Sequence, residues 1–299
     1  MIERNTLAQA AVCAGIGLHT GARVRMALKP ASAGTGIVFE RIDLDIDDRR
    51  IPARHDLVRS TELGTVLTNA SGASVSTVEH LMAALAGLGV DDVMVELDGP
   101  EIPAMDGSSK PFVDLLERAG LKSCPAPRRF IKVLKRVEIE DAGRVAAFIP
   151  SVRPAIDVTI DFADAAIGRQ QFRFDVNPET FTAEVAPART FGFRRDYETL
   201  LKAGLARGGS MQNAIVLDEG GVANPEGLRF ADEFVRHKAL DALGDIHLAG
   251  APILGLYRAE RPGHRLNSLA VHALLADASA WKMVTLAGEE AARARVAGG

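Results

Sequence analysis

The chain has 299 residues, 47% of them hydrophobic and 25% charged, with a formal net charge of -4. That balance excludes a disordered chain, and a mildly acidic protein with no basic stripe along any predicted helix lacks the electrostatic footprint of a nucleic-acid binder. The length allows two ordinary domains with their own apolar cores. No window approaches the ~18 uninterrupted apolar residues of a membrane span, and Met1–Thr6 carries no signal-type stretch, so the chain is expected in the cytoplasm. Cys13 and Cys124 are too few for a disulfide framework and are read as reduced thiols.

In chain order, Arg23–Leu28, Gly36–Phe39 and Gly64–Leu67 are short apolar runs bounded by turns and predict strands. A helix is predicted to open at Ser76, because Ser76-Thr77-Val78-Glu79 has capping-box form and Leu81, Leu85 and Leu88 follow at helical spacing. The strand Val93–Leu97, a loop over Asp98–Gly107 and a helix over Ser108–Ala119 complete an α+β half. Pro125, Pro127, Arg128 and Arg129 make Ser123–Arg129 the best linker candidate. Beyond it, Phe130–Glu140, Arg144–Ile149 and Ala155–Phe162 read as strands, with Asp141-Ala142-Gly143 as a hairpin turn. A second α+β unit then follows, with helices near Arg194–Ala203 and Ala231–Leu243 and a strand over Pro252–Arg258. No repeat is visible at the level of sequence.

Three constellations carry chemical potential. His237 and Asp241 stand four apart on a predicted helix, which places both on one face, as two ligands of one metal would be. A solvated polar face or a simple His-Asp pair fits the same spacing. Asp245 follows Gly244 at the predicted helix end, where the dipole disfavours a carboxylate, and so calls for a partner such as a histidine or Lys238. Glu79-His80 lies at a predicted helix N-terminus that should keep Glu79 ionised. A capping role alone would also account for Glu79, whereas capping does not need His80. Its neighbours Ala83, Ala84 and Gly87 are small enough to let another element approach. His264 sits on the turn Arg261-Pro262-Gly263 after a strand, a place for either an exposed or an active-site residue. His19, His55, His247 and His272 find no partner from spacing.

Taken together, Gly15-Ile16-Gly17-Leu18-His19-Thr20-Gly21, Ser76-Thr77-Val78-Glu79-His80-Leu81, Glu101 through Ser108, Ala188 through Phe193, Gly208-Gly209-Ser210, Arg229 through Asp245 and Gly263-His264 resemble the zinc-dependent UDP-3-O-acyl-N-acetylglucosamine deacetylases of Gram-negative bacteria. The resemblance covers nearly the whole chain. It implies an α+β protein with two domains of similar topology, each a sheet layer with helices, packed helix face to helix face around an interdomain cleft. The domains are expected at 1–126 and 127–299, with an insert near 197–216 lining an acyl passage.

By the same resemblance His80, His237 and Asp241 are the ligands of one Zn2+, for which Fe2+ is an alternative. Glu79 is the base that takes a proton from the attacking water, and His264 is the acid that protonates the leaving amine, oriented by Asp245. Thr190 stabilises the oxyanion together with the metal, and Lys238 contacts substrate or the anionic intermediate. Phe191 and Phe193 lie near the sugar and the acyl entrance, and Arg144 meets the diphosphate. The implied partner is an acylated UDP-sugar, hydrolysed by a monomer in the committed step of lipid A synthesis. The sequence departs from the family's pattern around Met211-Gln212-Asn213 and after Ala287.

Overall fold

The computed structural model describes residues 1–45 and 47–287; the departure after Ala287 lies outside them. Strands β1 (Ala11–Ile16), β2 (Arg23–Pro30), β3 (Ile37–Arg41), β4 (Arg50–Pro52) and β5 (Val93–Leu97) form one five-stranded sheet in the order β1-β2-β5-β3-β4. Strands β6 (Val137–Asp141), β7 (Arg144–Ile149), β8 (Ala155–Asp161), β9 (Arg169–Asp175) and β10 (Leu256–Glu260) form another in the order β6-β7-β10-β8-β9. The directions match as well. In each sheet the last strand of the chain runs antiparallel to the second and parallel to the third. The α+β architecture is therefore built twice on one topology, although the sequence shows no repeat.

Alternation explains the strands locally, since in β2 Val24, Met26 and Leu28 turn inward while Arg23 and Arg25 face solvent. The hairpin between β6 and β7 pairs Asp141 with Arg144. Its two central residues, Ala142 and Gly143, both take positive φ (51° and 72°), as a type I′ turn requires.

The helices are α1 (Glu79–Leu88), α2 (Lys110–Ala119), α3 (Arg194–Lys202), α4 (Glu233–His247) and α5 (His264–Ala276). Helices α4 and α5 lie on the second sheet, α2 lies on the first, and α1 packs on α4. None is long and apolar enough to cross a membrane. One continuous apolar cluster runs from Leu7 to Ala280 through both halves, with α1 and α4 at its centre.

Several elements differ from their sequence reading. The proposed linker is mostly strand: Leu121–Pro127 pairs antiparallel with Glu3–Leu7 in a two-stranded ribbon. Such a ribbon leaves one edge of each strand unpaired, which is where Pro125 and Pro127 are tolerated. Phe130–Glu140 divides into Arg129–Val133 and β6, and the strand expected at Gly64–Leu67 forms at Val66–Thr68. Helix α5, for which the sequence reading gave no element beyond the turn before His264, places Leu266, Ala270, Val271 and Leu274 inward at helical spacing. Both cysteines are free, and burial pushes the Cys13 thiol up to about 11.

Gly244 does not end its helix but lies within α4. A Cβ there would stand 2.0 Å from the carbonyl oxygen of Glu79, so only glycine lets α4 come this close to the start of α1. Alanine gains about 0.5–1 kcal/mol over glycine in a helix interior, whereas forcing atoms into a packed interface costs about 1–3 kcal/mol. Gly244→Ala is therefore expected to lower the unfolding free energy by about 1–2 kcal/mol in urea titration, and Gly244→Val by more. Parental stability in both variants would mean that α1 and α4 can separate freely.

Candidate active site

The chain enters α1 through a strained residue. Thr77 has φ of 58°, a conformation β-branched residues avoid, at a cost of about 1–3 kcal/mol. Its hydroxyl donates to Glu101 Oε1 at 3.0 Å. Glu101 is 1% exposed and also accepts from His19 N, Thr20 N and the Thr20 hydroxyl, tying the Gly17–Thr20 turn to the start of α1. Gly17 has to be glycine, because a Cβ there would lie 2.3 Å from Glu101 Oε2.

This entry undoes the capping-box reading. Helix α1 begins at Glu79 with no side-chain cap, and Ser76 instead donates its hydroxyl to the Pro100 carbonyl. Glu79 Oε2 accepts the backbone N–H of Thr65 at 3.0 Å. Burial pushes the Glu79 carboxyl up from its ordinary value, while His264 and His80 pull it down. The helix N-terminus expected to keep it ionised is not what governs it.

Helix α4 is anchored by a buried ion pair. Glu233 accepts from the backbone N, Nε and Nη2 of Arg189 and from the backbone N of Arg229. Both partners of the Arg189–Glu233 pair are almost fully buried, so the geometry survives only because the carboxylate's lone pairs are filled. The pair holds Ala188–Phe191 along α4. The carbonyl of Ala188 lies 3.1 Å from His237 Nδ1, which fixes the ring and leaves Nε2 facing the cleft. Thr190 is held by its backbone, which donates to Gly107 O and accepts from Ile215 N.

His80, His237 and Asp241, all buried, offer ligand atoms within 4.8 Å of one another. Asp241 Oδ1 is 3.5 Å from His80 Nε2 and 3.3 Å from His237 Nε2. Ligands about 2.0–2.1 Å from a common centre at tetrahedral angles stand about 3.3 Å apart, so the spacing suits a small divalent cation. Burial keeps His237 neutral, its value brought down to about 3, as a ligand must be. Burial works against the Asp241 anion, yet the Lys238 ammonium and the charged His264 hold it well below the usual carboxylate range. Lys238 Nζ meets the outer oxygen, Oδ2, at 2.8 Å.

Glu79, Asp245 and His264 form a second group of the same compactness. The two groups differ in saturation. Asp245 accepts from His264, Asn267 and Thr65, whereas Asp241 Oδ1 is, among the described residues, a buried side-chain oxygen with no hydrogen-bond partner. A buried unpaired oxygen costs about 1–3 kcal/mol unless something fills it. The first group thus offers a cation an unfilled ligand, and the second brings a histidine between two carboxylates, an arrangement able to move a proton. His264 Nδ1 meets Asp245 Oδ2 at 2.8 Å and its Nε2 lies 3.8 Å from Glu79 Oε1. Burial disfavours the imidazolium, but the carboxylates of Asp245 and Glu79 outweigh it and raise His264 to about 10.

The remaining expected residues lie at different distances from these groups. The Phe191 ring stands 6.4 Å from that of His237 and 5.5 Å from Lys238 Nζ, and packs with Phe162. Phe193 also meets Phe162 and lies under the Arg195 guanidinium. Arg144 is exposed at the start of β7, with Nη1 3.7 Å from where a Cβ of Gly263 would stand, next to His264. Arg261, which follows β10, donates to the Gly143 carbonyl at the tip of the same hairpin.

Asp245 does have a histidine partner, as its place near the negative pole of the helix dipole suggested. His19 stays outside both groups and links the Leu63 carbonyl to the backbone of Ala206. Thr65 and Asn267 had no signal of their own in the sequence. A cavity of about 540 Å³ near Leu88, Arg128 and His247 includes no residue of either group.

The sign of the His264 shift sets a stability window. A folded-state value of about 10 against an ordinary 6.5 gives stabilisation that is complete below pH 6.5 and lost as pH rises through about 10. In metal-free protein, the unfolding free energy of the parent minus that of His264→Gln should fall across that range. A flat difference would mean that His264 is not held charged.

A family model described as "LpxC: UDP-3-O-acyl N-acetylglycosamine deacetylase" matches residues 4–276. A UDP-3-O-acyl-N-acetylglucosamine deacetylase of Phenylobacterium zucineum is 49% identical over 95% of this chain and 97% of its own length. One of the same name from Stenotrophomonas maltophilia is 50% identical over 95% and 94%, and one from Idiomarina loihiensis 48% over 97% and 95%. A match this extensive, on a chain that brings the two clusters together between α1 and α4, means that the protein belongs to the UDP-3-O-acyl-N-acetylglucosamine deacetylase family.

Proposed function

We propose that this protein hydrolyses the N-acetyl group of a UDP-3-O-acyl-N-acetylglucosamine and releases acetate, the committed step of lipid A synthesis, with one Zn2+ held by His80, His237 and Asp241. The observation that carries the reading is the unpaired Asp241 Oδ1 facing two imidazole nitrogens, with Glu79 and His264 side by side next to it. Fe2+ is the alternative occupant, since affinity order alone does not decide metallation.

A cation so placed supplies Lewis acidity toward the acetamide carbonyl and lowers the pKa of water. The protein's own groups do the rest. Glu79, buried and anchored by Thr65, takes the proton from the attacking water through Oε1. His264 holds a proton that it passes from Nε2 to the leaving nitrogen, because an unprotonated amine is a poor leaving group; Asp245 keeps Nδ1 engaged meanwhile. Thr190 and Lys238 face the negative charge that develops on the carbonyl oxygen.

For the substrate, Phe191 and Phe193 flank the sugar and the acyl entrance, and the segment 197–216 lines the acyl passage. Arg144 meets the diphosphate, with Arg261 nearby. The division into domains 1–126 and 127–299 is supported by the doubled sheet topology, with the cleft between α1 and α4. The reading is that of a cytoplasmic monomer.

The decisive assay is acetate release from the acylated UDP-sugar before and after a chelator; full activity in metal-free protein would refute the proposal. His80→Ala, His237→Ala and Asp241→Ala should each lose most bound metal and nearly all activity. Glu79→Gln should keep the metal and lose roughly 10²-fold or more in kcat. A hydroxamate carrying an apolar tail should inhibit strongly while the tail alone does not; equal inhibition by both would separate the metal from the acyl passage.

The pH profile should be a bell. Its acidic limb lies above the ordinary carboxyl range, as expected for Glu79, and its alkaline limb belongs to His264. An alkaline limb unchanged in His264→Ala would remove the general-acid role.

A further inference from the structure

The carboxylate of Asp245 is 3% exposed and is held from three sides. Oδ1 accepts the Thr65 hydroxyl at 2.6 Å, and Oδ2 accepts Asn267 Nδ2 and His264 Nδ1, both at 2.8 Å. The donors come from different parts of the fold. Thr65 lies just before the Val66–Thr68 strand of the first half, whereas His264 and Asn267 share one face of α5, three residues apart.

Each donor is itself locked. The carboxylate can only accept, so the Asn267 amide must turn its NH2 toward it. That leaves Asn267 Oδ1 to accept the Tyr257 hydroxyl at 2.7 Å, with Asn267 fully buried and Tyr257 1% exposed in β10. Thr65 is 2% exposed, and its backbone N–H holds Glu79 Oε2 while its hydroxyl holds Asp245. One residue thus spaces both carboxylates that flank His264.

We propose that Thr65 and Asn267 are positioning residues that fix the Asp245 carboxylate in one orientation and thereby aim the His264 imidazole at the leaving nitrogen. The role assigned to His264 rests on the function proposed above. A carboxylate held by His264 alone could swing about its Cβ–Cγ bond and carry the imidazole with it. With three donors from two separate parts of the fold it has one setting, and displacements of about 1 Å in a reacting group cost up to about 10²-fold in rate.

Thr65→Val keeps the shape of the side chain and the backbone N–H to Glu79 and removes only the hydroxyl; Thr65→Ser restores the hydroxyl without the methyl. Thr65→Val and Asn267→Ala are expected to lower kcat about 10- to 100-fold, with KM within about threefold and the bound metal per chain unchanged. Thr65→Ser should stay within about threefold of the parent. In 15N-labelled-histidine NMR, which needs no turnover, the Nδ1 proton of His264 should move or broaden in Thr65→Val and Asn267→Ala but not in Thr65→Ser.

Parental kcat in folded, metal-loaded Thr65→Val and Asn267→Ala would overturn the proposal, as would a Thr65→Ser enzyme as impaired as Thr65→Val, since packing would then explain the loss. If Asn267→Ala does not fold, the Thr65 pair decides. If the parent itself releases no acetate, the proposed function falls instead, and an unmoved His264 resonance in Thr65→Val would still overturn the positioning role.

Discussion

The contact on which everything else depends is the approach of α4 to the first residue of α1. At Gly244 the two backbones are so close that a methyl group would lie 2.0 Å from the Glu79 carbonyl. That approach sets His80 of one half beside His237 and Asp241 of the other, and Glu79 beside Asp245 and His264. Two sheets of like topology could carry helices at many separations. Only a glycine at this crossing gives one at which side chains from both halves share a small polar centre.

Around that crossing the molecule keeps two kinds of buried charge apart by how completely they are hydrogen-bonded. Asp245 is saturated with donors, and a saturated buried carboxylate is a rigid fixture. Asp241 has one oxygen paired with Lys238 and the other bare toward two imidazoles. Because an unpaired buried acceptor is costly, its persistence supports the cation proposed there. The same low-dielectric setting gives the two histidines opposite characters. His237 has a backbone carbonyl on Nδ1 and is neutralised by burial, whereas His264 lies between two carboxylates and stays charged.

Outside the reacting groups, buried polar residues act as braces. Glu101 gathers four donors to hold the Gly17–Thr20 turn and the strained Thr77, and the Arg189–Glu233 pair binds the Thr190 segment to α4. Such networks contribute little net stability but leave few alternative arrangements, because each half-satisfied one leaves a buried charge unpaired. The strain at Thr77 is sustained by these braces and sets the point at which α1 begins.

Periodicity in the chain is sufficient for β2, β5, α2, α3 and most of α4, and the spacing of His237 and Asp241 on one helix face is a local property that a sequence carries in full. The family resemblance rests on the same kind of local pattern. Local reasoning misplaced the start of α1, because a capping box and a strained entry share the letters Ser-Thr-Val-Glu and differ only in Glu101, a contact made across 24 residues. It read Ser123–Arg129 as linker because prolines argue against strands unless a one-sided partner is known, and it ended α4 at Gly244 because glycine at a helix terminus and glycine at a close crossing look alike. The contacts of Thr65 and Asn267 with Asp245 were invisible for the same reason. Their hydrogen bonds join residues 180 and 22 positions apart, and a hydroxyl or an amide carries no periodic signal. What the sequence determined by itself was the set of chemical groups and the local elements that carry them; which groups meet, and which of them are left unpaired, was decided by the packing of α4 against α1.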